Sequence, residues 1–227
     1  DGSNSIFTNT RTFYGAAQDM LAKMKEIASG DLGGTPEDYD ISNERVHQIA
    51  DESVGMTFGQ VAARALELGG KYTGSSDLPE ELAEWTQISV SRLAGTAFMG
   101  VFHDPRHEGN PPGFTVSCIE IELDTETGKY EILDLINVAD SGTIMHPKGM
   151  ENQLVGGAVW GIGLSGYERH LYDPQNGMPA STGYWQSKVP TFLDTPVKIQ
   201  TGWVDLPDPE NPVGARGVGE PAQGSVS

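Results

Sequence analysis

Phe114-Thr-Val-Ser-Cys-Ile-Glu-Ile-Glu-Leu-Asp124 is the stretch on which the fold turns. Apolar and β-branched residues at Val116, Ile119, Ile121 and Leu123 alternate with polar ones, the period of a strand with one covered face. Thr125 to Lys129 holds a turn around Gly128, and residues 130–139 repeat the strand pattern, so 114–139 reads as a hairpin of two long strands. Cys118, within the first strand, reads as a buried structural thiol. It is the only cysteine, which excludes a disulfide framework, a zinc cluster and an iron–sulfur ligand set within these residues.

Toward the C-terminus, Pro147 introduces a helix over 148–168 that carries Gly156, Gly157, Gly161, Gly163 and Gly166. Each glycine costs up to ~1 kcal/mol of helix propensity relative to alanine, so another backbone or a ligand is expected hard against them. Residues 169–213 read as loop and strand, with a turn at Asp173 to Gly177 and a strand from Val197 to Val204. Toward the N-terminus, Phe13, Ala16, Ala17, Met20, Leu21, Met24 and Ile27 recur at helical spacing, and Gly30, Gly33, Gly34 and Pro36 end that helix. Short strands follow at 39–42 and 45–48. Thr57 then caps a helix running to Leu68. Residues 69–96 are weakly patterned and read as an excursion or insertion. The sum is an α+β fold in which antiparallel pairs pack with helices.

Composition narrows the function. The chain has 227 residues, 29 of them glycine, and a net charge of −18, so no basic stripe exists to neutralise phosphates and nucleic acid is excluded as a partner. No run reaches the roughly 18 apolar residues of a membrane span, and no signal segment opens the chain. It therefore reads as soluble and cytoplasmic, with the periplasm as the alternative. Four histidines (His103, His107, His146 and His170) show no ligand spacing with one another, so no metal-ligating residue is assigned. A Gly-x-Gly-x-x-Gly turn between strand and helix is also absent.

The chemistry concentrates at Gly214-Ala-Arg-Gly-Val-Gly-Glu-Pro221. Glycines at 214, 217 and 219 strip bulk from around Glu220, and Pro221 fixes the next φ angle. A large group can then lie against the loop with one carboxylate aimed at it. This loop resembles the end of the cofactor-binding region of the molybdenum hydroxylases, the xanthine dehydrogenase and aldehyde oxidoreductase family. Gln153 with Gly156 and Gly157 resembles that family's Gln-x-x-Gly-Gly helix. Thr8, Asn9 and Thr10, followed by Gly15 and Ala16, resemble its hydroxyl-rich cofactor loop and the helix after it. The three segments occur in the family's order and span nearly the whole chain.

The resemblance implies the C-terminal portion, residues 1–227, of a molybdopterin-binding domain, a fragment or one piece of a divided subunit. It implies hydroxylation of an aldehyde or N-heterocycle with oxygen taken from water. Glu220 would be the general base, taking a proton from the water-derived nucleophile. Phe7, Thr8, Thr10, Gln153 and Gly219 would contact the molybdopterin cofactor, Gln153 through an amide that both donates and accepts. Phe7 stands where the family has a small residue, and His146-Pro147 where it has Asn-Pro. Iron–sulfur clusters and flavin would lie on other domains or chains, beside the rest of the molybdopterin subunit, and this chain alone would be inactive. Two other classes stay open at this level. One is a glycoside hydrolase pairing Glu220 with Asp140 or Asp205. The other is an acidic, non-catalytic assembly module.

Overall fold

A computed structural model describes residues 5–74, 82–102, 113–218 and 220–226. The chain divides into two compact units, Asn9–Glu108, and Asp1–Thr8 together with Gly109–Ser227. The first contains most of helix α1 (Ser5–Leu32), a three-stranded antiparallel sheet of β1 (Tyr39–Ser42), β2 (Arg45–Gln48) and β3 (Gly55–Thr57), and helices α2 (Phe58–Leu68) and α3 (Glu84–Leu93). Its core gathers Met24, Ile27, Ala28, Tyr39, Val46, Val61 and Ala65. Buried Tyr39 donates to the carbonyl of Gly33 at 2.6 Å, just past the end of α1. Thr57 caps α2 reciprocally: its hydroxyl accepts from Gln60 N at 3.3 Å, and its own N–H donates to Gln60 Oε1 at 2.8 Å.

Two expectations change along these elements. The stretch 69–96 is not irregular throughout, because α3 forms within it and buries Val90. Thr8 and Thr10 are not in a loop either, since α1 already begins at Ser5.

In the second unit, β4 (Phe114–Leu123) and β5 (Tyr130–Asp140) form the expected hairpin, with Phe114 opposite Asp140 and Leu123 opposite Tyr130. Strand β6 (Ile199–Val204) joins the other edge of β5 in parallel, a connection that requires a crossover. Helix α4 (Pro147–Ile162), its closing turn Gly163–Tyr167, the short α5 (Tyr184–Ser187) and the loop between them make that crossover. A final short helix, α6 (Pro221–Gly224), ends the described chain. Leu135, Asn137 and Ala139, alternate residues of β5, are buried, and Leu154, Ala158 and Ala222 pack into the same two clusters as Leu135 and Ala139.

The glycines of α4 divide by face. A Cβ at Gly157 would stand 2.7 Å from that of Ala222, and one at Gly161 would stand 2.8 Å from the Gln223 carbonyl oxygen, so here another backbone does press on the helix. No backbone presses on Gly156, which is exposed: a Cβ there would meet nothing within 4 Å. Cys118 is likewise exposed rather than buried. Strand β4 is the hairpin's outer strand, and α4 packs over its neighbour β5, so alternation in β4 does not mark a covered face. Among the described residues no helix is long and apolar enough to cross a membrane.

Candidate functional site

Gln153 stands on the exposed face of α4 and lines a cleft of about 260 Å³ with Ile6, Ser141, Met145, Met150, Arg216 and Val218. His146 starts the helix beside it. Its Nδ1 accepts from the backbone N–H of Gly149 at 2.7 Å, so the ring caps α4. Helical spacing places Gln153, Gly156 and Trp160 on one side of α4, with Leu164 in the turn just beyond it. Each of them is exposed. Gln153 therefore offers an amide at a cleft rim, with a bare stretch of helix at Gly156 one turn further on.

Glu220 lies outside α4, at the start of α6. It lines a second cleft of about 420 Å³ with Trp160, Leu164, Glu168 and Gln223. Its backbone is αR, at the position that caps α6. The loop before it is pinned to the end of β5: Arg216 N donates to Ser141 O, and Thr143 N to Gly214 O, both at 2.8 Å. Arg216 also uses its side chain. Nη2 donates to both oxygens of Asp140 at 2.9 and 3.0 Å, and Nε makes an ion pair with Asp208 Oδ2 at 3.1 Å. Two carboxylates already neutralise this guanidinium, which leaves it poorly suited to hold a phosphate. Asp140 also holds the turn after β5, accepting from Gly142 N at 3.3 Å.

The expected site residues are thus only partly assembled. Gln153 on α4 and Glu220 before α6 line separate clefts, and Trp160 of α4 borders the second. Phe7 is buried and its carbonyl accepts from Asn211 Nδ2 at 3.0 Å. Ile6 lines the Gln153 cleft, Thr8 is not among its lining residues, and Thr10 belongs to the other unit. Gly219 falls outside the described residues. Sequence patterns missed Asn211, whose Oδ1 accepts from Val213 N at 3.0 Å and Ala215 N at 3.4 Å while its amide holds Phe7. Its position between Pro and Glu residues signalled only a loop. The acids named for a hydrolase pair are occupied otherwise, Asp140 by Arg216 and Asp205 by the N–H of Ile144 at 3.2 Å. Among the described residues no group of three or more His, Cys, Asp or Glu is placed to hold a metal ion.

A family model described as molybdopterin cofactor-binding domain matches residues 1–196, which include Gln153 but not Glu220. Xanthine dehydrogenase/oxidase of Gallus gallus is 31% identical over 246 aligned residues, covering 97% of this chain and 18% of that one. Subunit gamma of the 6-hydroxypseudooxynicotine dehydrogenase complex of Paenarthrobacter nicotinovorans is 34% identical over 107 residues, 47% of this chain and 13% of its own length. Among solved structures, reconstituted CO dehydrogenase from Oligotropha carboxidovorans superposes with a TM-score of 0.60 at 23% identity, over 92% of this chain and 23% of that chain. That likeness speaks for the fold. The chain spans less than a fifth of either curated relative. These matches lend no support to a glycoside hydrolase or to a non-catalytic assembly module. With the helix, hairpin and glycine-rich loop in the family's order, the chain belongs to the molybdopterin cofactor-binding domains of the molybdenum hydroxylases.

Proposed function

We propose that this chain forms one wall of the molybdopterin site in a molybdenum hydroxylase, with Gln153 bonding the cofactor edge and Glu220 serving as general base. The observation that carries this is the exposed side of α4, where the Gln153 amide, the bare backbone at Gly156 and the Glu220 cleft follow one another. The residues fit the group. A flat heterocycle can lie on a helix face that has no Cβ at Gly156, while an amide at the rim matches ring donors and acceptors. Arg216, held by Asp140 and Asp208, takes no part in that contact.

When bound, the cofactor supplies a two-electron oxidant. In the overall reaction a substrate C–H bond becomes C–OH, water supplies the oxygen, and two electrons and two protons leave. Glu220 takes one of those protons at its carboxylate oxygen. Trp160 and Leu164 border its cleft on the apolar side. The substrate class is an aldehyde or N-heterocycle, and electrons depart through iron–sulfur and flavin groups on other domains or chains.

Glu220→Gln in the complete enzyme tests the assignment, because the amide is nearly isosteric but cannot accept the proton. Cofactor content should stay at wild-type level while the single-turnover reduction slows by about 10² to 10⁴-fold, roughly 3 to 5 kcal/mol of barrier. Gln153→Ala should instead lower cofactor occupancy and spare the reduction rate per bound molybdenum. Rapid-reduction kinetics at matched metal content decides both. Wild-type reduction by Glu220→Gln would remove the base from the proposal.

A further inference from the structure

We infer that Asn137 is a positioning residue that fixes Glu220 against the cofactor-facing helix α4, an assignment that rests on the reading of Glu220 and Gln153 just given. Asn137 occupies the middle of β5, fully buried, in the row that otherwise presents Leu135 and Ala139. An amide in such a place is costly unless its polar atoms are engaged. Both faces of this one are. Nδ2 donates to Leu154 O at 3.0 Å and to Ala222 O at 3.3 Å. Oδ1 accepts from Ser117 Oγ at 3.2 Å, and Ser117 stands directly opposite on β4.

The partners give the amide its meaning. Leu154 follows Gln153 on α4, and Ala222 lies two residues beyond Glu220. One side chain thus ties the backbone that presents the cofactor amide to the backbone that presents the base. Ser117 Oγ lies 2.8 Å from Ser225 Oγ, which brings the residue after α6 into the same network. Each hydroxyl has one proton. With Ser117 donating to Asn137, the Ser225 proton goes either to Ser117 or to the Ala222 carbonyl 3.2 Å away.

Helix α6 needs this anchor. Four residues cannot hold helical geometry by themselves. Its apolar contacts through Ala222 and Val226 tolerate sliding, whereas directed hydrogen bonds fix register. A leucine at 137 would fill the same volume and keep the packing, but α6 would lose its register, and Glu220 with it.

The test uses the complete, cofactor-loaded enzyme with Asn137→Leu, read by hydrogen exchange and by turnover. Amides of residues 220–226 should exchange at least 10-fold faster, while α4 keeps wild-type protection. Turnover per bound molybdenum should fall about 10- to 100-fold, the scale of a small misplacement of a reacting group, with the acid limb of its pH profile displaced. Unchanged exchange, or faster exchange with wild-type turnover and pH profile, would overturn the inference. If Asn137→Leu does not accumulate, Ser117→Ala is read by the same measurements. It frees the amide to rotate, so an effect of about 3-fold on both readouts is expected, and no effect on either overturns the role. Glu220→Gln is run alongside. Full activity there defeats the base assignment, whereas the exchange result still decides whether Asn137 holds α6.

Discussion

Arg216 shows how one residue sets the form of the loop that leads to Glu220. Its side chain is 11% exposed and lies between the carboxylates of Asp140, at the end of β5, and Asp208, in the loop. Without the guanidinium, two acids would face each other with little water between them. Arg216→Met should therefore destabilise the protein by roughly 3 kcal/mol, the low end for a broken buried pair because Asp140 keeps some contact with solvent. Urea unfolding at neutral pH checks this. A loss below about 0.5 kcal/mol would place the pair with ordinary surface ion pairs. Arg216→Lys should recover only part of the loss, since an ammonium has no second nitrogen to reach Asp208 while another holds Asp140.

At the scale of elements, α4 is two helices in one, with a face pressed against α6 and a bare face at Gly156. Gly157→Ala would drive a methyl into Ala222 and destabilise the protein by about 1 to 3 kcal/mol. Gly156→Ala meets open space and should stabilise by up to ~1 kcal/mol. In the complete enzyme the same methyl should lower cofactor occupancy. Thermal unfolding and metal content of the two variants should move in opposite senses. Which glycine faces which way was not legible in the sequence, because 156 and 157 differ only by a 100° rotation whose phase depends on what the helix packs against. Elements with local signals were legible. The β4–β5 hairpin followed from alternation around Gly128, and α2 from Thr57 and its periodic apolar residues. The failures lay where the deciding partner is distant or the local signal is weak: Cys118 on a strand whose cover goes to its neighbour, α3 with one buried residue, and a helix already under way at Thr8. Glu220 and Gln153 could be picked out because glycines surround them. Asn137 could not, since Leu154 and Ala222, its partners, lie 17 and 85 residues along the chain.

At the scale of the molecule, the second unit exposes its apolar side chains in groups. Tyr184, Trp185, Phe192 and Leu193 are each at least 88% exposed within one ten-residue span. Such a group is larger than a soluble monomer usually leaves to water. Under the function proposed above, the remainder of a molybdopterin subunit would cover this group and close the open clefts at Gln153 and Glu220. Expressed by itself, the chain should therefore retain well below one molybdenum per molecule. Metal analysis after purification from cells that make the cofactor tests this, and stoichiometric metal would mean that these residues suffice.

Strand β4 carries a consequence for handling the protein. Val116, Ile119, Ile121 and Leu123 are all exposed along it, and among the described residues it pairs with β5 alone. A ten-residue strand of this kind is a template for any other extended chain, including its own twin. Concentrated preparations should thus form oligomers joined edge to edge, held apart only by the repulsion of 18 net negative charges. Salt, by shortening the reach of that repulsion, should turn a clear solution cloudy.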